Sequence, residues 1–264
     1  MKQHAVAALS LIVLTSVWST ASPMTQVQVD SKSDARISII PVDAEHRSAV
    51  PQGVPESVPL GAFVLVNHTK THVTAVSVRW TYTDADEVFR QRGLNCDRYV
   101  FSPLNVIVKA GDFSLITPYG CTSNEMLDLL QTGGVLGSPL TVRNGRPLIV
   151  KPGETLHIYL DSVIFEDGQI WGPDTVGYYR QIQDRYSVVE SFLSEVRAGK
   201  SKGETLSATI ARLREDSKST HDKHSARRAY YVGLLHRSPN PEGTLRQLEN
   251  QVAPPNFRHL EELQ

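Results

Sequence analysis

The sequence predicts a mainly β chain with an α-helical C-terminal segment: an antiparallel β-sandwich followed by three to four amphipathic helices. Three observations predict it. Between Arg36 and about Gly172, short β-rich runs alternate apolar and polar residues and are separated by turn residues. After Gly172-Pro173 the apolar spacing changes from two to three and four. The composition, 40% hydrophobic and 21% charged with a net charge of −1 over 264 residues, is that of a folded globular chain.

The clearest strand is His72 to Thr83, where Val76, Val78, Trp80 and Tyr82 alternate with Ser77, Arg79 and Thr81. Ala62 to Val66 precedes it, and the polar turn Asn67 to Thr71 is expected to join the two as a hairpin. Further strands are expected at Ile37–Ile40, Tyr99–Phe101, Val106–Val108, Phe113–Ile116, Leu140–Val142, Leu148–Val150, Leu156–Leu160, Val163–Phe165 and Ile170–Trp171. Asn144-Gly145 and Asp167-Gly168 suit type I′ hairpins, in which both central residues take positive φ. Pro147 fits near a strand start or on an edge. The inward phase changes between Leu160 and Val163, which predicts a bulge near Asp161-Ser162. Ser123 to Gln131 reads as a short helix in a loop, with Met126, Leu129 and Leu130 at helical spacing. Ile107 to Asp112 is echoed by Ile149 to Glu154, which reads as one strand–turn–strand device used twice.

In the C-terminal part, Val176, Tyr179, Ile182, Tyr186, Val189, Leu193 and Val196 draw one apolar stripe down a first helix. Asp174 or Thr175 would cap its start and Gly199 would end it. Ser201 and Glu204 are spaced as a capping box for a second helix, whose buried face would be Leu206, Ile210 and Leu213. A third helix is expected over Ser225 to His236, burying Ala229, Tyr230, Val232 and Leu235. Thr244 and Gln247 are spaced to cap a fourth, stopped by Pro254-Pro255. The sequence allows these helices either to form a unit of their own or to complete the sandwich core.

The start of the chain has a different grammar. Lys2 and His4 precede an apolar run from Ala5 to Trp18, and Ser19-Thr20-Ala21 offers a small-residue cleavage site. That pattern predicts a secretory signal peptide and a periplasmic or extracellular protein. No later segment is apolar enough to span a membrane. The expected organisation is a signal peptide at 1–21, a flexible segment at 22–35, the sandwich at 36–173, the helical segment at 174–254 and a tail at 255–264. In an oxidising compartment Cys96 and Cys121 read as one disulfide, which closes a loop worth on the order of 3 kcal/mol. Charge is −4 before residue 176 and +3 from there on, summing to the net −1, an asymmetry that solvated helix faces explain. It gives no sign of a nucleic-acid partner.

Several of these stretches carry a resemblance. Asn67 followed by the Val76-to-Trp80 strand, the turn Lys151-Pro152-Gly153-Glu154, and the run from Phe165 to Asp174 (FEDGQIWGPD) resemble immunoglobulin-like or fibronectin-like sandwiches of uncharacterised secreted bacterial proteins. The resemblance covers about half the chain and implies a scaffold, with no activity to carry over. The Cys…Trp…Cys order of antibody domains is absent, since Trp80 precedes both cysteines.

Gly199-Lys200-Ser201 ends like a phosphate loop, but Ser194 stands where its first glycine belongs and helix is expected on both sides. His221 with His224, and His68 with His72, give pairs where zinc needs three or four ligands. Asp84, Asp86 and Glu87 fit a polar turn better than a calcium loop. Asp161 with Glu166 and Asp167 would have to serve as a glycosidase pair, yet Asp167 already belongs to a turn. There is no Gly-x-Ser-x-Gly elbow. Asn67-His68-Thr69 is formally a glycosylation sequon, read here as a turn. No catalytic, cofactor-binding or metal-binding residue is therefore predicted. Trp171, Tyr178 and Tyr179 are the candidate ring-stacking aromatics, against a plain role in packing sandwich to helices. The expected function is that of an exported, non-enzymatic module that binds a protein partner or helps assemble an envelope structure. The alternatives are a carbohydrate-binding module for cell-wall or extracellular polysaccharide, and an enzyme without a linear motif.

Overall fold

The computed structural model describes residues 25–31, 34–99, 106–123, 127, 148–219, 225–250 and 254–259. The expected signal peptide, the strand at 140–142, the Asn144-Gly145 turn, Pro147, His221 and His224 lie outside these residues, as does most of the helix expected at 123–131. The described strands are β1 (Gln26–Val29), β2 (Ile37–Pro41), β3 (Phe63–Asn67), β4 (Val73–Thr83), β5 (Phe89–Asp97), β6 (Phe113–Thr117), β7 (Gly120–Ser123), β8 (Thr155–Phe165), β9 (Gln169–Trp171) and β10 (Arg258–His259). One sheet runs β10-β9-β8-β4-β5 with β1 also on β8; the other runs β2-β3-β6-β7.

The two sheets form a sandwich-like core. Phe63, Leu65 and Ile116 of the smaller sheet meet Val76, Val78, Trp80, Leu156, Ile158 and Leu160 of the larger one. Trp80 is fully buried there, and its indole N–H donates to the Gly61 carbonyl at 2.8 Å, which removes the cost of an unpaired donor. Cys96 on β5 and Cys121 on β7 sit at disulfide distance, Cα to Cα 6.6 Å. Both lie on the last strand of their sheet among the described residues, so the link joins the two sheets along one side. The bulge falls where expected: Ser162 pairs with Ser77 and Leu160 with Val78, which leaves Asp161 as the extra residue.

Several expectations are corrected. Asn67 to Thr71 is a crossover between sheets, not a hairpin. Asn67 is buried; its amide donates to the Thr71 and Lys109 carbonyls while its Oδ1 accepts from Thr69, and this pins the chain as it changes sheet. Residues 148–150 form no strand, although Leu148 and Val150 enter the core. Val106–Val108 contributes a single bridge to Val73. The Asp167-Gly168 turn is not type I′: Gly168 alone takes positive φ, closing a three-residue loop between β8 and β9. Within the segment expected to be flexible, β1 pairs in parallel with β8 because Val27 and Val29 can pack on the core. The tail also returns, as β10 pairs in parallel with β9, so the sandwich is not purely antiparallel.

Four helices follow: α1 (Tyr178–Ser201), α2 (Leu206–Ser219), α3 (Ser225–Arg237) and α4 (Pro241–Glu249). Their caps differ from those expected. Thr205 rather than Ser201 caps α2, accepting from the Ala208 amide, and Asn240 caps α4, accepting from Gly243 with Pro241 in the first turn. Gly199 lies inside α1, where a Cβ would meet the Thr209 hydroxyl at 2.5 Å, so it serves the close approach of α2. The buried face of α1 runs through Tyr178 and Ile182 to Val188, Val189, Phe192, Leu193 and Val196; Tyr179 is only partly buried and Val176 is exposed. Likewise α3 buries Tyr231 and leaves Tyr230 exposed.

The question left open by the sequence has a split answer. The C-terminal half of α1 joins Ile210, Leu213, Tyr231, Val232, Leu235, Leu245 and Leu248 in a helical core of its own. Its N-terminal residues Tyr178 and Ile182 instead pack with Ala75, Tyr99, Ile164 and Ile170 on the outer face of the larger sheet. A boundary at Pro173 therefore cuts through a packed surface. Among the described residues no helix is long and apolar enough to cross a membrane.

Candidate functional site

The outer face of the larger sheet is divided in two, and the entry of α1 makes the division. The Asp161 bulge turns that side chain out of the strand ladder. Its Oδ1 accepts from the Thr175 amide and hydroxyl at 3.1 and 2.5 Å, its Oδ2 from the Val176 amide at 3.3 Å, and its own carbonyl accepts from the Asp174 amide. Gly172, at φ +97°, lies so close that a Cβ would stand 2.6 Å from the Asp161 carbonyl oxygen. Asp174 accepts from the Tyr178 amide at 2.8 Å just ahead of α1, but it is not the expected cap: the N-cap is Gly177, left-handed at φ +60° and without a side chain to accept. Asp161 is thus spent on a turn. Glu166 pairs with Arg98 at 3.1 Å and Asp167 caps its own hairpin through the Gln169 amide, so the three carboxylates considered as an acid–base pair each hold backbone or a cation instead.

Where α1 lands, Asp97 at the end of β5 gathers three donors. Its Oδ2 accepts from the Tyr178 hydroxyl at 2.6 Å and from the Arg185 guanidinium at 2.5 Å; its Oδ1 accepts from the Tyr99 amide at 3.1 Å. The Asp97 side chain is 6% exposed and that of Arg185 26%. Burial, followed by the adjacent Asp97 carboxylate, raises the Tyr178 phenol far above its ordinary value, so the hydroxyl stays a donor at any physiological pH. Burial works against the Arg185 cation, but the Asp97 charge and hydrogen bond outweigh it and its pKa lies above the usual one. Burial likewise raises Tyr99, whose hydroxyl meets that of Thr74 at 2.6 Å. This cluster latches the helices to the sheet.

Beside the latch, the remaining outer face holds a cleft among the described residues. The cleft, of about 310 Å³, is lined by Ser77 and Arg79 on β4, Gln91, Gly93 and Asn95 on β5, and Asp161, Val176 and Gln181 at the α1 entry. The Arg79 guanidinium carbon lies 5.3 Å from the centre of the Tyr159 ring, a stacking contact that holds it in place. Among the described residues it pairs with no carboxylate, because the cleft's one acid, Asp161, is engaged by Thr175 and Val176. Ser77 donates to Asn95 Oδ1 at 2.9 Å, which fixes the amide and leaves its Nδ2 donors facing away from Ser77. Gly93 stands directly across from Arg79, and the nearest atom to a Cβ built there is the Val78 carbonyl oxygen at 3.9 Å. The cleft is therefore donor-rich on its floor and, among the described residues, has no side chain at Gly93 between Arg79 and the sheet edge.

That edge is β5. Among the described residues it pairs only with β4. Its outward residues are Phe89, Gln91, Gly93 and Asn95, and Phe89 is 69% exposed. Its other face is pinned: Arg90 pairs with Asp84 at 2.6 Å and Arg92 stacks on Tyr119, 4.4 Å to the ring centre. A second cavity, about 560 Å³, lies between α2 and the α3–α4 junction, lined by Leu206, Ile210, Leu235 and Pro241 with Arg214 and His236 beside them.

The residues predicted from sequence scatter. Tyr178 is sealed in the latch, Tyr179 packs edge-on to Phe257, and Trp171 packs half-buried against the inter-sheet core, so the three make no shared platform. His68 bonds Ser38 and His72 accepts from the Ala110 amide. Asp84 accepts from the Asp86 and Val88 amides, shaping the β4–β5 hairpin. Among the described residues no group of three or more His, Cys, Asp or Glu is placed to hold a metal ion. Sequence reasoning missed Arg79, Gly93, Asn95, Asp97 and Arg185 as members of a site. The one available signal was the alternation of Phe89, Gln91, Gly93 and Asn95 with Arg90, Arg92 and Leu94, which charges obscured.

No protein-family model, no curated protein and no solved structure matches this chain.

Proposed function

We propose that the chain is an exported, non-enzymatic protein-binding module with an immunoglobulin-like sandwich, working in the periplasm or outside the cell. One observation carries the reading: α1 covers part of the outer sheet face, while the rest, among the described residues, is a cleft beside β5, whose outer edge has no partner strand and which carries a 69%-exposed phenylalanine. A long uncovered edge is a pairing template that folded proteins ordinarily blunt or cover. Export is supported by the charged, apolar and small-residue order at the start of the chain and by the cysteine pair at disulfide distance. The signal peptide is part of this proposal.

The test is chemical cross-linking of the full chain in its native cells, followed by mass spectrometry of what is captured. A defined protein species in the cell envelope is the expected result. A second reading, a carbohydrate-binding module, rests on the same cleft, whose Gln91, Asn95 and Gln181 amides suit sugar hydroxyls. Capture of glycan alone would select that reading, and capture of nothing would sink both.

A further inference from the structure

We infer that β5 accepts an extended segment of the partner as an added strand, and that an acidic side chain of that segment crosses Gly93 to reach Arg79. The inference rests on the protein-binding reading and specifies its partner. A strand added to β5 would lie about 4.8 Å beyond it and about 9.6 Å from β4. Its outward side chains would share the face of Phe89, Gln91, Gly93 and Asn95. At three of these positions a side chain stands between the newcomer and β4; at Gly93 none does. Arg79 is the register partner of Gly93, so the gap opens onto the guanidinium.

Charge selects the occupant. Arg79 is half-buried, braced by the Tyr159 ring, and paired with no carboxylate among the described residues. The Asn95 amide, fixed by Ser77, adds donors one pleat along. A carboxylate completes this set, and its hydrogen bond to a cation is among the stronger kinds. Phe89, two pleats away from Gly93 on the same face, offers apolar contact to the other end of the segment. Arg90 and Arg92, which would otherwise project across the edge and repel a basic strand or attract an acidic one unspecifically, are held on the opposite face. A second copy of this chain would bring its own β5, whose outer face presents the same Arg79 and, among the described residues of the cleft, no acid but the engaged Asp161.

The test uses three capped nine-residue peptides, alternating valine with glutamate, glutamine or lysine, titrated against the full chain. The glutamate peptide should bind, with about tenfold weaker binding of the glutamine peptide, the loss of one charge-assisted bond. The lysine peptide should bind weaker still. Arg79→Gln should erase the preference for glutamate, and Arg79→Glu should reverse it toward lysine. Gly93→Leu, which has room for its Cβ and no strained φ, should block all three. Unchanged melting temperatures verify that the variants fold. Equal affinity for the three peptides, no binding to the wild type, insensitivity to Arg79→Glu, or dimerisation of the chain through β5 would overturn the inference. Partner capture in cells that persists in both Arg79→Glu and Gly93→Leu would overturn this site and leave the protein-binding reading standing.

Discussion

Asp97→Ala is the substitution that bears hardest on the latch between helices and sheet. It removes the acceptor of the Tyr178 hydroxyl, the Arg185 guanidinium and the Tyr99 amide at once. Tyr178 is 1% exposed, so its hydroxyl would be stranded, at about 1–3 kcal/mol for an unpaired buried donor. The Tyr99 amide, in an equally buried residue, adds a comparable amount. Arg185 is 26% exposed and can turn toward water, so its share is small. The sum is about 2–6 kcal/mol, which spans the range for breaking a fully buried pair. At about 2–4 °C per kcal/mol for a chain of this size, the melting temperature should fall by roughly 4–24 °C. Tyr178→Phe leaves Asp97 paired with Arg185 and should cost about 1–2 kcal/mol. In the double variant the hydroxyl is no longer stranded, so the combined cost should be less than the sum by about 1–2 kcal/mol. Urea denaturation of the four chains measures this, and hydrogen exchange of the first turns of α1 should rise in Asp97→Ala. A cost below about 1 kcal/mol, or strict additivity, would refute the latch.

Three further outcomes follow from the same structure. Gly172→Ala should destabilise the chain by about 1–3 kcal/mol or more, since φ +97° and the Asp161 carbonyl both reject a Cβ; thermal melting checks it. Cys96→Ser with Cys121→Ser should lower stability by about 3 kcal/mol for a loop of 25 residues, readable as a shifted denaturation midpoint under non-reducing conditions. The Arg36 guanidinium holds the Asp34 carboxyl at about 2, so carbon-detected NMR should follow its titration there, and Arg36→Gln should move it up toward the ordinary carboxylate range. Because the folded value is the depressed one, the stability it adds is complete above about pH 4 and is lost as pH falls through 2; Arg36→Gln should flatten that acid limb.

The parts of the fold legible in the sequence are those where burial enforces a period. The alternation of Val76 to Tyr82 marked β4, and the phase break after Leu160 marked the bulge, because inward residues there have a single dry face to meet. The helix stripe was legible too, but its start was off by one residue: the Asp161 carboxylate holds Thr175 and Val176 in a turn, so Tyr178 rather than Tyr179 faces the sheet. β5 escaped notice because an edge strand buries little; Phe89 to Asp97 reads as a charged loop unless Asp84 and Tyr119 are known to absorb its arginines. The candidate site was less legible for the same reason. Arg79 and Gly93 meet only through strand register, and Asp97 and Arg185 lie 88 positions apart.

The proposed function turns on what touches the open face of β5. A photo-crosslinking amino acid placed at Phe89 in the full chain, with one at exposed Tyr230 on α3 as the control, tests this directly in native cells. The account predicts one defined protein adduct from position 89 that is absent from position 230. No adduct at 89, an adduct to glycan only, or the same adduct from both positions would contradict it.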